Sequence, residues 1–520
     1  MHVAFSSFSI GFKCPNIPAK TFYDNVYRCY ASPVKPFPSR KEPMMFKQSR
    51  RSFLQSASAA AAAFSLARTR SAFAQPASGP VKIWSSYRDR RHAPAEPLAW
   101  KPTGEISATA VILNPASTRQ QILGFGAAMT EATCIILSQL NPDERTAILH
   151  DIFNPSEMGM NVCRTTIGAS DYSQTLYSYD DSPEPDPELK HFSIDHDKAS
   201  VLPVLREARK HNPDLFLFSS PWSPPGWMKP NNSMLGGAMR KQSFDPYARY
   251  FVKFLEGYKA EGVPINAVTV QNETDAEQEG RMPACLWAQE QEMEFASRFL
   301  APAIRKANLD TKIWILDHNY SLWGRAIDEL SDPAVAEAVD GIAWHGYVGD
   351  VAAMTRVHEA FPAKNAYWTE GGPDINQPNY QTDFADWANT FNTVLNNWAR
   401  SITAWNLALD EKGKPNIGPF SCGGTITVEN GTHKVIKSGQ YWAFAHFSRH
   451  IRKGAQVFAT NGVDPSDRHA GVTHCGAINP DGSHVLVVAN RGPQQRRQLI
   501  HGSNMVEIDL PAESVHTLVW

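Results

Sequence analysis

Short runs of apolar and β-branched residues recur between residues 120 and 405, and each ends in Gly, Pro, Asn, Asp or an aromatic residue. Amphipathic segments with an apolar period of about 3.6 separate these runs, which indicates helices. The strand-like runs lie at 121–126, 160–167, 215–220, 267–271, 312–316, 341–344, 366–369 and 401–405. The helical patterns cover 142–153, 195–210, 245–260, 288–306, 322–330, 351–361 and 383–398, and one more begins at Ser438.

This alternation predicts an α/β fold, a (β/α)₈ TIM barrel over 119–451. A doubly wound open sheet is the main alternative. That fold calls for a glycine-rich phosphate loop after the first strand, and Gly124-Phe125-Gly126 lacks the third glycine.

Both chain ends have a different pattern, with short strands and turn residues but no long helices. Strand-like segments at 82–87 and 107–114 lie before the barrel, and several more follow residue 452 around the turn Asn479-Pro480-Asp481-Gly482. We expect residues 75–118 and 452–520 to form one β-sandwich side domain built from both ends.

The composition is that of an ordinary globular protein, but the charge is divided unevenly. The 520 residues sum to a formal net charge of −2, whereas residues 1–74 hold 11 Lys or Arg against 2 Asp or Glu, so the rest of the chain is at −11. An acidic surface disfavours binding to nucleic acid and to anionic lipid. The sequence therefore predicts no nucleic-acid partner and no stable membrane association.

Residues 1–74 are predicted to be a leader with a twin-arginine signal peptide. Arg50-Arg51 precedes an alanine-rich apolar stretch, and Ala72-Phe73-Ala74 fits a cleavage site. A surface amphipathic helix that carries two arginines is the alternative. We expect export to the periplasm or the extracellular space. The five cysteines after the predicted leader are expected to be small buried residues, and one disulfide among them is possible. They are Cys134, Cys163, Cys285, Cys422 and Cys475.

Two carboxylates stand just past predicted strands, Glu273 after the fourth and Glu370 after the seventh. Function in a TIM barrel resides at the carboxyl ends of the strands, so these groups face each other across one mouth. Retaining glycoside hydrolysis needs such a pair about 5–5.5 Å apart, one a protonated acid with a raised pKa and one an ionised nucleophile. The neighbouring Asn272 is expected to hydrogen-bond a sugar hydroxyl, and His345 or Tyr347 is expected to hydrogen-bond the nucleophile.

Two other function classes fit parts of this pattern. A metal-dependent hydrolase would use Asp317, His318 and His345, but the sequence has no paired ligands at metal spacing, so no metal and no cofactor are predicted. A non-catalytic carbohydrate-binding protein would use the tryptophans of the same mouth and would not need both glutamates.

The chain resembles glycoside hydrolase family 30, the family of the lysosomal glucosylceramidases, over about residues 80–520. The motifs that carry the resemblance are GFGAAMT (124–130), Arg164 with ASDYS (169–173), SPWSPPGW (220–227), YFVKFL (250–255), AVTVQNE (267–273), WNLAL (405–409), NPDGS (479–483) and SVHTL (514–518).

The resemblance implies a retaining β-glycoside hydrolase with Glu273 as acid/base and Glu370 as nucleophile. It further implies that Asp171, Trp222, Asn272 and Trp405 line the subsite of the reacting sugar. In the same way, Arg164, His345 and Tyr347 are expected to support the nucleophile.

The loop after Glu273 departs from the glucosylceramidase pattern, because Arg281 and Pro283 stand where aromatic residues are expected. The end of the sixth strand also differs, with His345-Gly346-Tyr347 in place of a His-Trp-Tyr triplet. The substrate is therefore expected to be glucosylceramide, β-1,6-glucan or another β-linked oligosaccharide, and neither exo nor endo action follows from the sequence.

Overall fold

The computed structural model describes residues 79–461 and 471–520, so the predicted twin-arginine leader lies outside the described residues. Four strands come first in the described part of the chain. They are β1 (Val81–Tyr87), β2 (Arg90–Leu98), β3 (Lys101–Pro102) and β4 (Val111–Gln121).

Eight parallel strands then form the predicted barrel, which confirms the fold class. They are β5 (Gly124–Ala127), β6 (Val162–Thr166), β7 (Phe216–Ser220), β8 (Ala267–Thr269), β9 (Lys312–Asn319), β10 (Gly341–His345), β11 (Asn365–Glu370) and β12 (Ala399–Ala404). Each strand pairs with its neighbour, and a parallel bridge between Ala128 and Arg164 joins the first strand to the second. All eight carboxyl ends therefore open at one mouth.

Helices lie between the strands at the expected places. They are α1 (Glu131–Ser138), α2 (Pro142–Phe153), α3 (Val201–His211), α4 (Phe244–Ala260), α5 (Gln289–Glu294), α6 (Ala301–Lys306), α7 (Trp323–Ser331), α8 (Pro333–Ala338), α9 (Ala352–Ala360), α10 (Phe384–Asn396) and α11 (Gly439–Ser448). A capping box between Asn141 and Glu144 fixes the start of α2. A π-helical turn joins α5 to α6, and α1 and α8 are two helices that the periodicity did not indicate.

The side domain unites both ends of the described chain in one ten-stranded sheet. A separate small sheet comes first in the chain and consists of β13 (Ala408–Leu409), β14 (Ile426–Val428) and β15 (Val435–Lys437). The later strands of the ten-stranded sheet are β16 (Gln456–Thr460), β17 (Val472–Ile478), β18 (His484–Asn490), β19 (Gln495–His501), β20 (Asn504–Leu510) and β21 (Ser514–Val519). The strand order is β2-β1-β21-β18-β17-β16-β4-β19-β20-β3. The sandwich built from both ends is thereby confirmed.

Strand β18 shows why this domain stays attached to the barrel. Successive side chains of a strand point to opposite faces. Val485 and Val487 belong to the main core, which includes the barrel helices, whereas Leu486 and Val488 belong to the separate core of the side domain. The strand is apolar on both faces because it is buried between two cores.

The barrel interior changes from apolar to polar along the strands. Its lower layer is apolar and consists of Val162, Phe218, Ala267, Trp314, Ala343 and Tyr367. Two residues further along β6, β7, β8, β10 and β11, the side chains point inward again. That next layer is polar, with Arg164, Ser220, Thr269, His345 and Thr369, all buried. The barrel therefore presents a buried polar floor at the mouth.

The five cysteines within the described residues are all free, so the single disulfide that the sequence allowed is not formed among them. Four of them are buried and Cys422 is partly so. Across the described part of the chain, no helix has the length and apolar character needed to span a membrane.

Four histidines cluster where α11 meets the side sheet: His446 and His516 are buried, and His92 and His450 are half-buried. His92 and His450 share a 2.8 Å contact between their Nε2 atoms, and His446 contacts Ser86 at 2.8 Å. Burial lowers the pKa of His516 to about 4 and of His92 to about 3, and it places the pKa of His446 and His450 well below the ordinary range. The cluster is therefore neutral in the folded protein at neutral pH.

We predict that this cluster makes the fold acid-sensitive. A histidine whose pKa is lower when folded than when unfolded binds its proton preferentially in the unfolded chain, so stability falls as the pH drops below the ordinary 6.5 toward about 4 for His516. Between pH 7 and 5 the His516 contribution to that loss is about 2 kcal/mol. His516→Gln should reduce the loss by that amount in urea unfolding at the two pH values.

The matched control is Val487→Ala, in the strand that pairs with β21. It should lower stability equally at both pH values, because it removes packing and no titrating group. An unchanged pH dependence in His516→Gln would contradict the role of the cluster.

Candidate active site

Arg164 is the central cation of the polar floor, and its side chain is fully buried. Its Nη2 lies 2.6 Å from Asp317 Oδ2, and its Nη1 donates to Glu370 Oε2. It also donates to Asn272 Oδ1 at 2.8 Å and to Ser220 Oγ at 3.1 Å. The guanidinium thus fixes residues from four different strands or strand ends around one positive charge.

Asp317 is the main partner of this arginine, and its carboxylate has every lone pair engaged. It accepts hydrogen bonds from Arg164, Ser220, Thr269, His345 and Thr369 at 2.6–3.0 Å. Burial alone would raise the pKa of Asp317, but the charge of Arg164 and the hydrogen bonds hold it well below the ordinary value. Sequence reasoning missed this residue as a support of the site and considered it only as a metal ligand.

A bulge in β9 brings Asp317 inward. Leu316 opposes Ala343 and His318 opposes Trp344, so Asp317 is an extra residue in the ladder. Leu316 and Asp317 both adopt left-handed backbone conformations, with φ of 72° and 45°. The buried carboxylate of Glu292 accepts the N–H of Leu316 at 2.9 Å and so stabilises the bulge.

Glu273 lies beside this bulge, with its own N–H donating to the Asp317 carbonyl at 3.0 Å. Its Oε1 is 3.3 Å from His345 Nδ1, and Gln278 donates to its Oε2 at 3.2 Å. Burial opposes ionisation, but the hydrogen bond from His345 and the charges of His318 and His345 lower the pKa of Glu273. The raised pKa expected for a general acid is therefore wrong for Glu273 in this arrangement.

The proton is instead held by His345. Burial would lower the pKa of His345, but the charge of Glu370, followed by hydrogen bonds with Asp317 and Glu273, raises it to about 9. At neutral pH His345 is a cation that donates to Glu273 through Nδ1 and to Asp317 through Nε2. The donor atoms of Glu273, His318 and His345 lie within 4.8 Å of one another, but both ring nitrogens of His345 are already engaged.

Glu370 lies on the other side of the same imidazole, with its Oε2 3.8 Å from His345 Nε2. Its Oε2 accepts from Arg164, and its Oε1 accepts from the Tyr347 hydroxyl at 3.1 Å. The structure therefore brings Arg164 and Tyr347 into contact with Glu370. His345 contacts Glu273 and Asp317 more closely than it contacts Glu370.

Aromatic rings and one unpaired carboxyl form the walls above these groups. Trp222 stacks on Trp405 with ring centroids 4.9 Å apart, and Tyr172 packs edge-on against Trp405. Asp171 is buried, and its Oδ1 has no hydrogen-bond partner among the described residues. Burial and the charges of Glu370 and Glu273 raise the pKa of Asp171 well above its ordinary value. Such a group is suited to a polar ligand that supplies the missing partner.

Comparison with known proteins identifies the family. The Glycosyl hydrolase family 30 TIM-barrel domain matches residues 122–451, and the family 30 beta sandwich domain matches residues 454–518. The chain is 33% identical to the endo-1,6-beta-D-glucanase of Neurospora crassa, over 81% of this chain and 88% of the relative. It is 30% identical to the lysosomal acid glucosylceramidase of Mus musculus, over 78% of this chain and 82% of the relative.

Solved structures agree with this result. The endo-beta1,6-glucanase BT3312 has a similar structure, with a TM-score of 0.76 and 29% identity, over 85% of this chain and 99% of that one. The chain therefore belongs to glycosyl hydrolase family 30 and is a β-glycoside hydrolase.

Proposed function

We propose that this enzyme cleaves β-1,6-linked glucan with retention of configuration, with Glu370 as nucleophile and Glu273 as acid/base. The observation that carries the assignment is the buried contact of Glu370 with Arg164 and Tyr347. A carboxylate that accepts a charge-assisted hydrogen bond from a fully buried guanidinium is held in a fixed orientation, which suits a nucleophile. Glu273 has no guanidinium partner, and the cation beside it, His345, is able to release a proton.

In the first step, Glu370 attacks the anomeric carbon while the glycosidic oxygen takes a proton from Glu273. We propose that His345 supplies this proton, because it is the protonated member of the pair and lies 3.3 Å from Glu273 Oε1. Formation of the glycosyl ester removes the charge of Glu370. That charge is the largest influence that raises the pKa of His345, so its loss favours release of the proton.

In the second step, water attacks the ester, and Glu273 accepts its proton as general base. The returning charge on Glu370 again raises the proton affinity of His345. One proton thus leaves with the first product and one is regained from water, so the enzyme returns to its starting state without a cofactor.

The reacting sugar is proposed to occupy the space between the tryptophan pair and Asp171. Trp222 and Trp405 offer apolar faces for sugar C–H groups, and the unpaired Oδ1 of Asp171 suits a sugar hydroxyl. Asn272 is fixed by Arg164 and lies next to Glu273, where it suits the hydroxyl beside the anomeric carbon.

The choice of glucan over glucosylceramide is supported by the loop after Glu273 and by the relatives. Arg281 pairs with the exposed Glu279 at 3.4 Å, and Gln278 reaches Glu273, so this loop is polar where an acyl chain would need apolar contacts. Residues 75–520 carry a formal net charge of −11, which disfavours binding to anionic lipid. Sphingolipid hydrolysis is the second candidate because a glucosylceramidase is among the relatives.

Export by the twin-arginine pathway is also proposed, from Arg50-Arg51, the alanine-rich stretch and the Ala72-Phe73-Ala74 sequence. A polymeric glucan does not enter cells, so an exported enzyme suits this substrate.

Azide rescue tests the two catalytic roles. Glu273→Ala should lower kcat on an aryl β-glucoside with a poor leaving group by about 10²–10⁴-fold, the usual contribution of general acid–base catalysis. On an activated aryl β-glucoside, whose leaving group needs no acid, hydrolysis of the ester becomes limiting. Azide should then restore turnover and give the β-glucosyl azide, because it attacks the ester from the side that water uses. In Glu370→Ala, azide replaces the nucleophile and should give the α-azide.

The matched control is Glu292→Gln, a buried glutamate that contacts neither Glu273 nor Glu370 in the described structure. It should show no azide-dependent product. If the two catalytic variants give the same anomer, or neither responds to azide, the assignment of the two glutamates is wrong.

Substrate choice is tested with linear β-1,6-, β-1,3- and β-1,4-glucans and with glucosylceramide in mixed micelles. We expect kcat/KM on β-1,6-glucan to exceed that on every other substrate by at least about tenfold, the equivalent of 1.4 kcal/mol of transition-state binding. Glu370→Gln is the control for contaminating activity. A preference for glucosylceramide would contradict the proposed substrate but leave the catalytic roles intact.

A further inference from the structure

The segment between β6 and α3 holds a second cluster of carboxylates, away from the catalytic glutamates. It carries five acidic residues and no basic residue within nine positions: Asp180, Asp181, Glu184, Asp186 and Glu188. One carboxylate oxygen of Asp180, one of Asp186 and a ring nitrogen of His191 all lie within 4.8 Å of one another. Two of these three residues are buried, and the His191 side chain is largely exposed.

Asp180 is the unusual member, because its side chain is completely buried and has no Lys or Arg partner among the described residues. Its Oδ2 accepts from the indole N–H of Trp227 at 2.9 Å, whereas its Oδ1 has no hydrogen-bond partner among the described residues. No Lys or Arg in the described chain forms an ion pair with it or with Asp186. A buried carboxylate without a cation is costly unless a proton or a metal ion neutralises it.

We propose that Asp180, Asp186 and His191 bind a divalent transition-metal ion, of which Zn²⁺ is the best match. Two carboxylate oxygens and one imidazole nitrogen form a donor set that suits Zn²⁺ better than Mg²⁺ or Ca²⁺, which prefer oxygen ligands alone. A zinc ion about 2.1 Å from each donor draws the three atoms to about 3.4 Å from one another. The exposed side chain of His191 is free to make that adjustment.

The chain already orients two of the three ligands. The N–H of His191 donates to Asp186 Oδ2 at 2.9 Å, and its Nδ1 lies 3.0 Å from the same oxygen. Binding of zinc to Nδ1 would replace that contact with a shared ion. Trp227 orients Asp180 from the other side.

The site would stabilise the wall of the sugar pocket without taking part in the reaction. Trp227 belongs to the segment that follows β7 and that carries Trp222, the partner of Trp405 in the aromatic stack. An ion on Asp180 therefore stabilises the loop that supports Trp227. The role is structural, so its failure would leave the proposed glucan hydrolysis untouched.

Zinc binding to the full chain, freed of metal with a chelator and then dialysed, tests the proposal. We expect Zn²⁺ at about 100-fold over its Kd to raise the Tm by about 2–5 °C, and titration calorimetry to show a saturable site. Asp180→Asn and His191→Gln should lose the Tm shift. Asp180→Asn keeps an acceptor for Trp227, and His191→Gln changes an exposed side chain, so both are expected to fold.

Asp181→Asn is the matched control, because it removes one charge from the same acidic segment but none of the three ligands. It should keep the zinc response. Three results would overturn the proposal: no Tm shift and no calorimetric binding in the wild-type protein, a response retained in Asp180→Asn, or an equal loss in Asp181→Asn. A response to Ca²⁺ alone that His191→Gln leaves unchanged would also overturn it, because the imidazole would then not be a ligand.

Discussion

The contact of Arg164 with Asp317 and Glu370 is the interaction on which the rest of the site depends. A guanidinium buried in the middle of the barrel loses its hydration, and only paired carboxylates with full hydrogen bonding compensate for that loss. Asp317 provides this compensation permanently, since five side chains donate to it. Glu370 is the second partner, and its other oxygen accepts from the Tyr347 hydroxyl. Arg164 therefore fixes Asp317 as a structural group, and in the proposed mechanism it also orients Glu370 for attack.

The same charges determine where the proton resides. His345 lies between Glu273 and Asp317 and near Glu370, so three carboxylates favour its protonated form. Two carboxylates alone would compete for one proton, and their roles would be poorly separated. The buried arginine and the imidazole separate them: Glu370 faces a fixed cation, and Glu273 faces a cation that is able to release a proton. This arrangement suits the proposed reaction, in which Glu370 loses its charge in the first step and regains it in the second.

Much of this architecture could be predicted from the sequence. The parts that could not be predicted share one physical reason. Strand patterning located all eight barrel strands, and parallel strands bring their carboxyl ends together, so Glu273 and Glu370 were found at one mouth from their positions alone. Asp317 was not recognised, because its inward direction comes from an extra residue in β9, and a bulge is a property of strand register. The proton on His345 was missed for a related reason, since it depends on the three carboxylates around the ring. The histidine cluster does not follow from local sequence either, because its members come from distant parts of the chain, whereas the carboxylates around Asp180 are neighbours in the sequence.

The central claim, that the ion cluster makes Glu370 a nucleophile, is tested most directly by trapping the covalent intermediate. A 2-deoxy-2-fluoro-β-glucosyl fluoride slows both steps but has a good leaving group, so the glycosyl ester accumulates. Mass spectrometry of the digested protein should then find a single fluoroglucosyl group on the peptide with Glu370, and inactivation should follow its stoichiometry. A label on Glu273, or sustained glucan hydrolysis with no covalent label and an inverted first product, would contradict the account.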